Sequence, residues 1–255
     1  MRGLKDRIVV ITGGASGIGR AITLRLAEEG AQPVIFDIDE TGARAVADEA
    51  IAAGGKAGAR RCDITDYASV EAAVAATEAE TGPIDFLVNN AGWDLPANFL
   101  DTEPEFWAKV IGINLMGPIH MHHAVLKRMT GRGAGRVVNI SSDAGRVGSS
   151  GEAVYSACKG GVIAFTKTMA REVARRGVTL NTICPGPTDT PLFDAFKAAS
   201  DDGAKIAAGL ARAIPMKRLG RPDDYPGLVA FLLSDDAAYI TGQTMSVSGG
   251  LTMHG

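Results

Sequence analysis

Seven short apolar or β-branched runs alternate with helix-length segments along the 255-residue chain, and that alternation constrains the fold more than any single motif. The runs are RIVVIT, QPVIFDI, KAGARRCD, IDFLVNN, RVVNIS, VTLNTIC and TMSVS. Between them lie stretches such as RAITLRLAEEG, closed by Gly30, and YASVEAAVAATEAETG, closed by Gly82-Pro83. Strands separated by helices run parallel and need crossover connections that place helices against the sheet faces. With no long linker, repeat or composition break, the pattern predicts a single α/β domain over 1–255. Its form is a Rossmann fold, a doubly wound seven-stranded parallel sheet with helices on both faces. A ligand then sits outside the carboxyl ends of the strands, where Gly13, Asp37, Asp63, Asn89, Ser142 and Pro185 fall.

The first strand runs into Gly13, Gly14, Ala15, Ser16, Gly17, Ile18 and Gly19, and a helix follows at once. A glycine turn opening a helix presents backbone N–H groups and the positive end of the helix dipole to a pyrophosphate. The spacing is GxxxGxG rather than GxGxxG, so it matches the general dinucleotide fingerprint in mechanism only. The second strand ends at Asp37, eighteen residues beyond Gly19, where a carboxylate can accept from ribose hydroxyls and repel a 2′-phosphate. Because Ser16 stands where a basic side chain could meet that phosphate, NAD is expected over NADP. Asp37 could instead cap the next helix, although Asp39 and Thr41 could do so as well. Asp63 and Ile64 follow the third strand and could line an adenine pocket. Asn89, Ala91 and Gly92 follow the fourth, where Asn89 could bond ligand or only loop backbone.

Tyr155 and Lys159 are four apart in a helical stretch and so leave the same face. An ammonium beside a phenol stabilises the phenolate, so the expectation is a Tyr155 pKa lowered toward neutrality, suited to proton transfer. Ser142 follows the run RVVNIS and can aim its hydroxyl at the same point, while Asn114 is a polar residue in an apolar stretch that needs a specific partner. His120, His122 and His123 lack the spacing of zinc ligands, so no metal is expected, and packing or a subunit contact is the default. The region from Glu103 reads as a helical hairpin punctuated at Gly117-Pro118, and GRGAGR at 131–136 reads as a turn. Ala157, Gly160, Gly161 and Ala164 make one helix face flat enough for a symmetric contact.

A net charge of −3 and no long basic run give no support for nucleic-acid binding. No apolar stretch reaches the roughly 18 residues of a membrane span, and the start shows no signal sequence, so a cytoplasmic location is expected. Cys62, Cys158 and Cys184 read as buried thiols. The segment at about 190–218 is interrupted and polar, and is expected to form a substrate lid. Its Lys197, Lys205, Arg212, Lys217 and Arg218, with Arg221 beyond, outnumber Asp194, Asp201 and Asp202. That excess could meet an anionic carrier such as coenzyme A or simply be a solvated face.

TGGASGIG at 12–19, NNAG at 89–92, Asn114, Ser142, YSACK at 155–159 and PGPTDT at 185–190 occur in order and at a shared spacing. Together they resemble the short-chain dehydrogenase/reductase family over nearly the whole chain. The resemblance implies Tyr155 as general acid/base, Lys159 lowering its pKa and holding a ribose, Ser142 polarising the substrate oxygen, and Asn114 anchoring a relay water. It also implies cofactor contacts from the glycine turn, Asp37, Asp63, Ile64, Asn89, Ala91, Gly92, Tyr155, Lys159, Pro185, Gly186, Thr188 and Thr190. Trp93, Ser149 and Glu152 are expected to shape the substrate pocket. NNAGWD, HMHHAVL, VGSSGEAVY, CPGPTDT and VSGGLTM narrow the likeness to members acting on cyclic or short-chain β-hydroxyacyl-CoA thioesters in aromatic-acid degradation, as homotetramers. The alternatives are a 3-oxoacyl-thioester reductase using NADPH and a non-catalytic dinucleotide sensor.

Overall fold

The computed structural model describes residues 1–198 and 203–253. Seven strands form one parallel sheet: β1 (Ile8–Thr12), β2 (Gln32–Asp37), β3 (Gly58–Arg61), β4 (Phe86–Asn89), β5 (Gly135–Ile140), β6 (Val178–Pro185) and β7 (Thr244–Val247), in the order β3-β2-β1-β4-β5-β6-β7. The chain winds outward from β1 to β3 and then crosses back to place β4 on the other side of β1. The order therefore reverses between β1 and β4, with Val10 paired to Val34 on one side and Leu87 on the other. A cleft opens at such a switch point because the adjoining connections leave in opposite directions.

Alternate strand residues face opposite layers. Val10, Val34, Leu87, Val137 and Leu180 pack under α3 (Tyr67–Thr81), α5 (Gly117–Arg132) and α7 (Ala153–Val173). Val9, Ile11, Val88, Val138 and Ile183 pack under α1 (Gly17–Glu28) and α10 (Pro226–Leu233), and Ile35 meets α2 (Glu40–Ala52). Burying both sheet faces explains why β1 and β4 read as unbroken apolar runs rather than alternating ones.

The expected hairpin around Gly117-Pro118 is instead one helical run: α4 (Pro104–Ile111), a π turn (Gly112–Met116) and α5. Proline does not break it because Pro118 falls in the first turn of α5, directly after the register change, where its missing N–H costs little. GRGAGR is a turn as expected, with Gly133 ending α5 in the left-handed region at φ 72°. The remaining helices are α6 (Ala144–Val147), α8 (Pro191–Ala198) and α9 (Gly203–Ala213). Among the described residues no helix is long and apolar enough to cross a membrane, and all three cysteines are buried free thiols.

Candidate active site

A cleft of about 1380 Å³ lies across the carboxyl ends of the strands, larger than the ~300–1,000 Å³ of ordinary small-molecule sites. At one end it is floored by Gly13, Ser16, Gly17 and Ile18. Ser16 occupies the N-cap of α1 without a side-chain cap, leaving the first N–H groups of that helix to another acceptor. Gly13 and Gly17 have φ of 67° and 53°, and a Cβ on Gly13 would meet Ala91 Cα at 2.7 Å. Bare backbone before an uncapped helix fits a pyrophosphate. Gly19 departs from the expectation that it contacts ligand: it lies under the turn, where a Cβ would run into the Gly13 carbonyl and the Asn90 amide. Its role is close packing.

Asp37 reaches the cleft at the tip of β2, with Oδ2 accepting from Ala15 N at 3.0 Å and Oδ1 from Asp39 N at 3.0 Å. It does not cap α2, since Asp39 accepts from Gly42 N at 3.0 Å there. Asp63 and Ile64 also line the cleft. Asn89 does not. It is buried beneath the strand ends, donating to Asn139 Oδ1 at 2.9 Å in a network with His122 and Thr166. Side chains alternate along a strand, so Asn89 points into the helix layer and the next residue, Asn90, into the cleft. Asn90 Nδ2 ties the turn down through Thr12 O at 3.1 Å and Gly13 O at 2.9 Å, and Ala91 and Gly92 line the wall beyond.

Asn114 sits in the π turn, fully buried and outside the cleft wall. Asn114 Nδ2 donates to Val110 O at 2.9 Å and to Trp93 O at 2.6 Å. Asn114 Oδ1 accepts from Trp93 N at 3.2 Å, so this one amide clamps the loop after β4 to the helix layer.

Ser142, Tyr155 and Lys159 line the cleft together. Ser142 follows β5, and its Oγ accepts from Ala144 N at 3.1 Å. The Lys159 ammonium is 5.4 Å from the Tyr155 ring centre and donates to Ile140 O at 3.2 Å. The expected electrostatics are reversed. Burial, reinforced by Glu152 and Asp94, pushes the Tyr155 hydroxyl above the usual phenol range, against a smaller downward pull from Ser142. Desolvation lowers Lys159 from 10.5 to about 8. The sequence showed the spacing of the pair but not the burial and neighbouring carboxyls that dominate both groups.

Trp93, Ser149 and Glu152 line the same cleft, with Lys109 Nζ 3.6 Å over the Trp93 ring. Asp94, not anticipated, lies beside Glu152. Its only signal in the sequence is its place two residues past Gly92. Pro185, Gly186, Thr188 and Thr190 follow β6 along the cleft, and a Cβ on Gly17 would meet Thr190 at 3.6 Å. Tyr225 supports this loop from below, fully buried and hydrogen-bonded to Thr188. Phe193 of α8 and Leu210 of α9 close the mouth, while Asp201 and Asp202 lie outside the described residues. Gly160 and Gly161 pack inside the chain against Gly145 and Leu115, leaving Ala157 and Ala164 exposed on the expected flat face. Among the described residues no His, Cys, Asp and Glu cluster could hold a metal.

A family model described as enoyl-(acyl carrier protein) reductase matches residues 13–252. The 3-oxoacyl-[acyl-carrier-protein] reductase of Vibrio harveyi is 42% identical over 98% of this chain and 99% of its own. The chain belongs to the short-chain dehydrogenase/reductase family. The Escherichia coli 3-oxoacyl-[acyl-carrier-protein] reductase is 40% identical over 98% of each chain. Among solved structures, an actinorhodin polyketide ketoreductase bound to NADPH superposes with a TM-score of 0.93 at 36% identity over the whole of both chains. Levodione reductase gives 0.92 at 36% identity, over 96% of this chain and 97% of its own. The chain is therefore an oxidoreductase acting on CH–OH or keto groups, with a nucleotide-cofactor cleft, which removes the non-catalytic sensor.

Proposed function

We propose that this enzyme interconverts 3-oxoacyl and 3-hydroxyacyl thioesters and uses NAD(H). The observation that carries the reaction is that Ser142, Tyr155 and Lys159 line one cleft with the glycine turn. A bound nicotinamide supplies or accepts the hydride. Tyr155, held protonated by its raised pKa, gives a proton to the carbonyl oxygen as that oxygen becomes an alkoxide. Ser142 donates to the same oxygen, and the Lys159 charge stabilises the phenolate that the transfer leaves behind. The raised tyrosine thus favours ketone reduction near neutral pH. Asn114 keeps Trp93 and the loop after β4 fixed while this happens.

The relatives named as 3-oxoacyl-[acyl-carrier-protein] reductases support a thioester substrate. They move the reading away from aromatic-acid degradation as the leading role and toward the broader 3-oxoacyl class. 2-Hydroxycyclohexanecarboxyl-CoA, whose dehydrogenase the NNAGWD and VGSSGEAVY segments resemble, belongs to that β-hydroxyacyl class. The preference for NAD(H) departs from the NADPH-bound ketoreductase and rests on Asp37 at the tip of β2, where a carboxylate would accept from ribose hydroxyls and repel a 2′-phosphate. α8 and α9 act as the substrate lid, and Ala157 and Ala164 serve a subunit contact in a homotetramer. The deciding experiment is steady-state kinetics with NADH and NADPH against acetoacetyl-CoA, an acyl-carrier-protein thioester, the cyclic hydroxyacyl-CoA and simple alcohols. Thioester turnover should lead, and Tyr155→Phe should lose at least about 100-fold in kcat while still binding NADH. Simple alcohols outrunning every thioester would remove the substrate assignment, and near-full activity of Tyr155→Phe would remove the proton-transfer one.

A further inference from the structure

The cleft also holds two carboxyls that the proton-transfer step does not use. Asp94 comes from the loop after β4 and Glu152 from the residue before α7, and both line the cleft beside Tyr155. Asp94 is only 9% exposed, and its Oδ2 is buried with no hydrogen-bond partner. Glu152 and Ser149 line the same cleft, and the Glu152 charge is among the causes that raise the Asp94 pKa. Among the described residues, Tyr155, Cys158 and Lys159 from α7 interact electrostatically with Asp94. Lys159 donates to Ile140 O, and Lys109 of α4 lines the same cleft over the Trp93 ring.

Two neighbouring carboxyls in a buried site cannot both ionise cheaply, so one of them retains a proton. Burial and the Glu152 charge push Asp94 up to about 7, and burial raises Glu152 as well. The pair therefore offers a substrate one O–H donor and, as pH rises, a negative potential. A group that accepts a hydrogen bond without carrying charge is favoured there, and a carboxylate is repelled.

We propose that Asp94 and Glu152 form a carboxyl pair that selects neutral 3-oxoacyl thioesters over free 3-oxo acids. It does so by donating to the oxygen of the second carbonyl and excluding a carboxylate from the same place. The inference rests on the thioester reading and adds to it the residues that make the choice. It assigns both side chains to specificity and leaves proton transfer to Tyr155.

The test uses the whole enzyme and its Asp94→Asn and Glu152→Gln variants, with the N-acetylcysteamine thioester of acetoacetate and free acetoacetate as probes between pH 6 and 8. The wild type should prefer the thioester increasingly as pH rises. In the variants, kcat/KM for acetoacetate should rise at least about tenfold relative to the thioester and the pH slope of the ratio should flatten. A second measurement needs no turnover: infrared difference spectra should show a protonated carboxyl at pH 6 in the wild type that each variant shifts or loses. Retention of the wild-type ratio and slope in both variants overturns the selection. Absence of the protonated band overturns the pair itself. A band present in an enzyme inactive on every thioester overturns the selection through failure of the substrate reading, and leaves the protonated pair standing.

Discussion

Replacing Lys159 by Met should make the cofactor-free protein more stable at neutral pH while removing its activity. The ammonium is 3% exposed, and desolvation lowers its pKa from 10.5 to about 8. At about 1.4 kcal/mol per pH unit, that fall means the buried charge costs roughly 3 kcal/mol. The sign follows from proton counting. Between pH 8 and 10.5 the unfolded chain holds the lysine proton and the folded chain does not, so folding stability rises with pH there. Below about pH 8 the full cost is present. Met fills similar volume without charge, and it forfeits the hydrogen bond to Ile140 O, worth about 1 kcal/mol. The net gain expected at pH 7 is then about 2 kcal/mol, or roughly 4–8 °C in melting temperature for a chain of this size. Urea titrations of both proteins at one protein concentration, from pH 7 to 10.5, should show the Met variant ahead at pH 7 and the gap closing as pH climbs. A Met variant less stable at pH 7, or a gap that widens with pH, would refute the desolvation argument.

Asn114→Ala should destabilise the fold by about 2–4 kcal/mol, because it strips donors from buried Val110 O and Trp93 O and an acceptor from Trp93 N. Chemical denaturation measures it, and Trp93 emission should report a loosened loop. Asp37→Ser should raise kcat/KM for NADPH relative to NADH by at least about tenfold, since it removes the repelling carboxylate and leaves Arg61, its register partner on β3, as the nearest strand-borne cation. Initial rates with both cofactors read the ratio, and an unchanged ratio would separate Asp37 from cofactor choice.

The strand runs and their order of appearance were legible because both faces of this sheet are covered, which makes buried strands read as plain apolar stretches. The glycine turn was legible because Gly13 and Gly17 need positive φ. What escaped were properties that depend on pieces brought together from distant segments. Asn89 and Asn90 look equivalent in the sequence, and only the direction of β4 decides that the second faces the cleft. The π turn around Asn114 has no periodic signature, and the partners of its amide, Val110 O and the Trp93 backbone, come from separate segments. The direction of the Tyr155 shift was misjudged because a four-residue spacing reports a neighbour but not the desolvation of either partner, and Glu152 is three residues away on the opposing side of the balance.

The same physics sorts anions at both ends of the cleft. An anion is welcome where backbone N–H groups of the uncapped α1 converge, because those dipoles stay fixed and need no counter-charge. It is unwelcome beside Asp37, where a second negative group would meet an acidic side chain, and beside Asp94 and Glu152, whose raised pKa values reflect the cost of charge there. A ligand that fits all three places carries its charge on a pyrophosphate, leaves its ribose hydroxyl bare and presents uncharged oxygens to Tyr155. The proton-transfer residues Ser142, Tyr155 and Lys159 impose none of these conditions on remote groups. On the proposed assignments, substrate and cofactor choice would reside in carboxylates outside that trio, and exchanging those carboxylates should change what is bound while leaving the proton-transfer residues themselves intact.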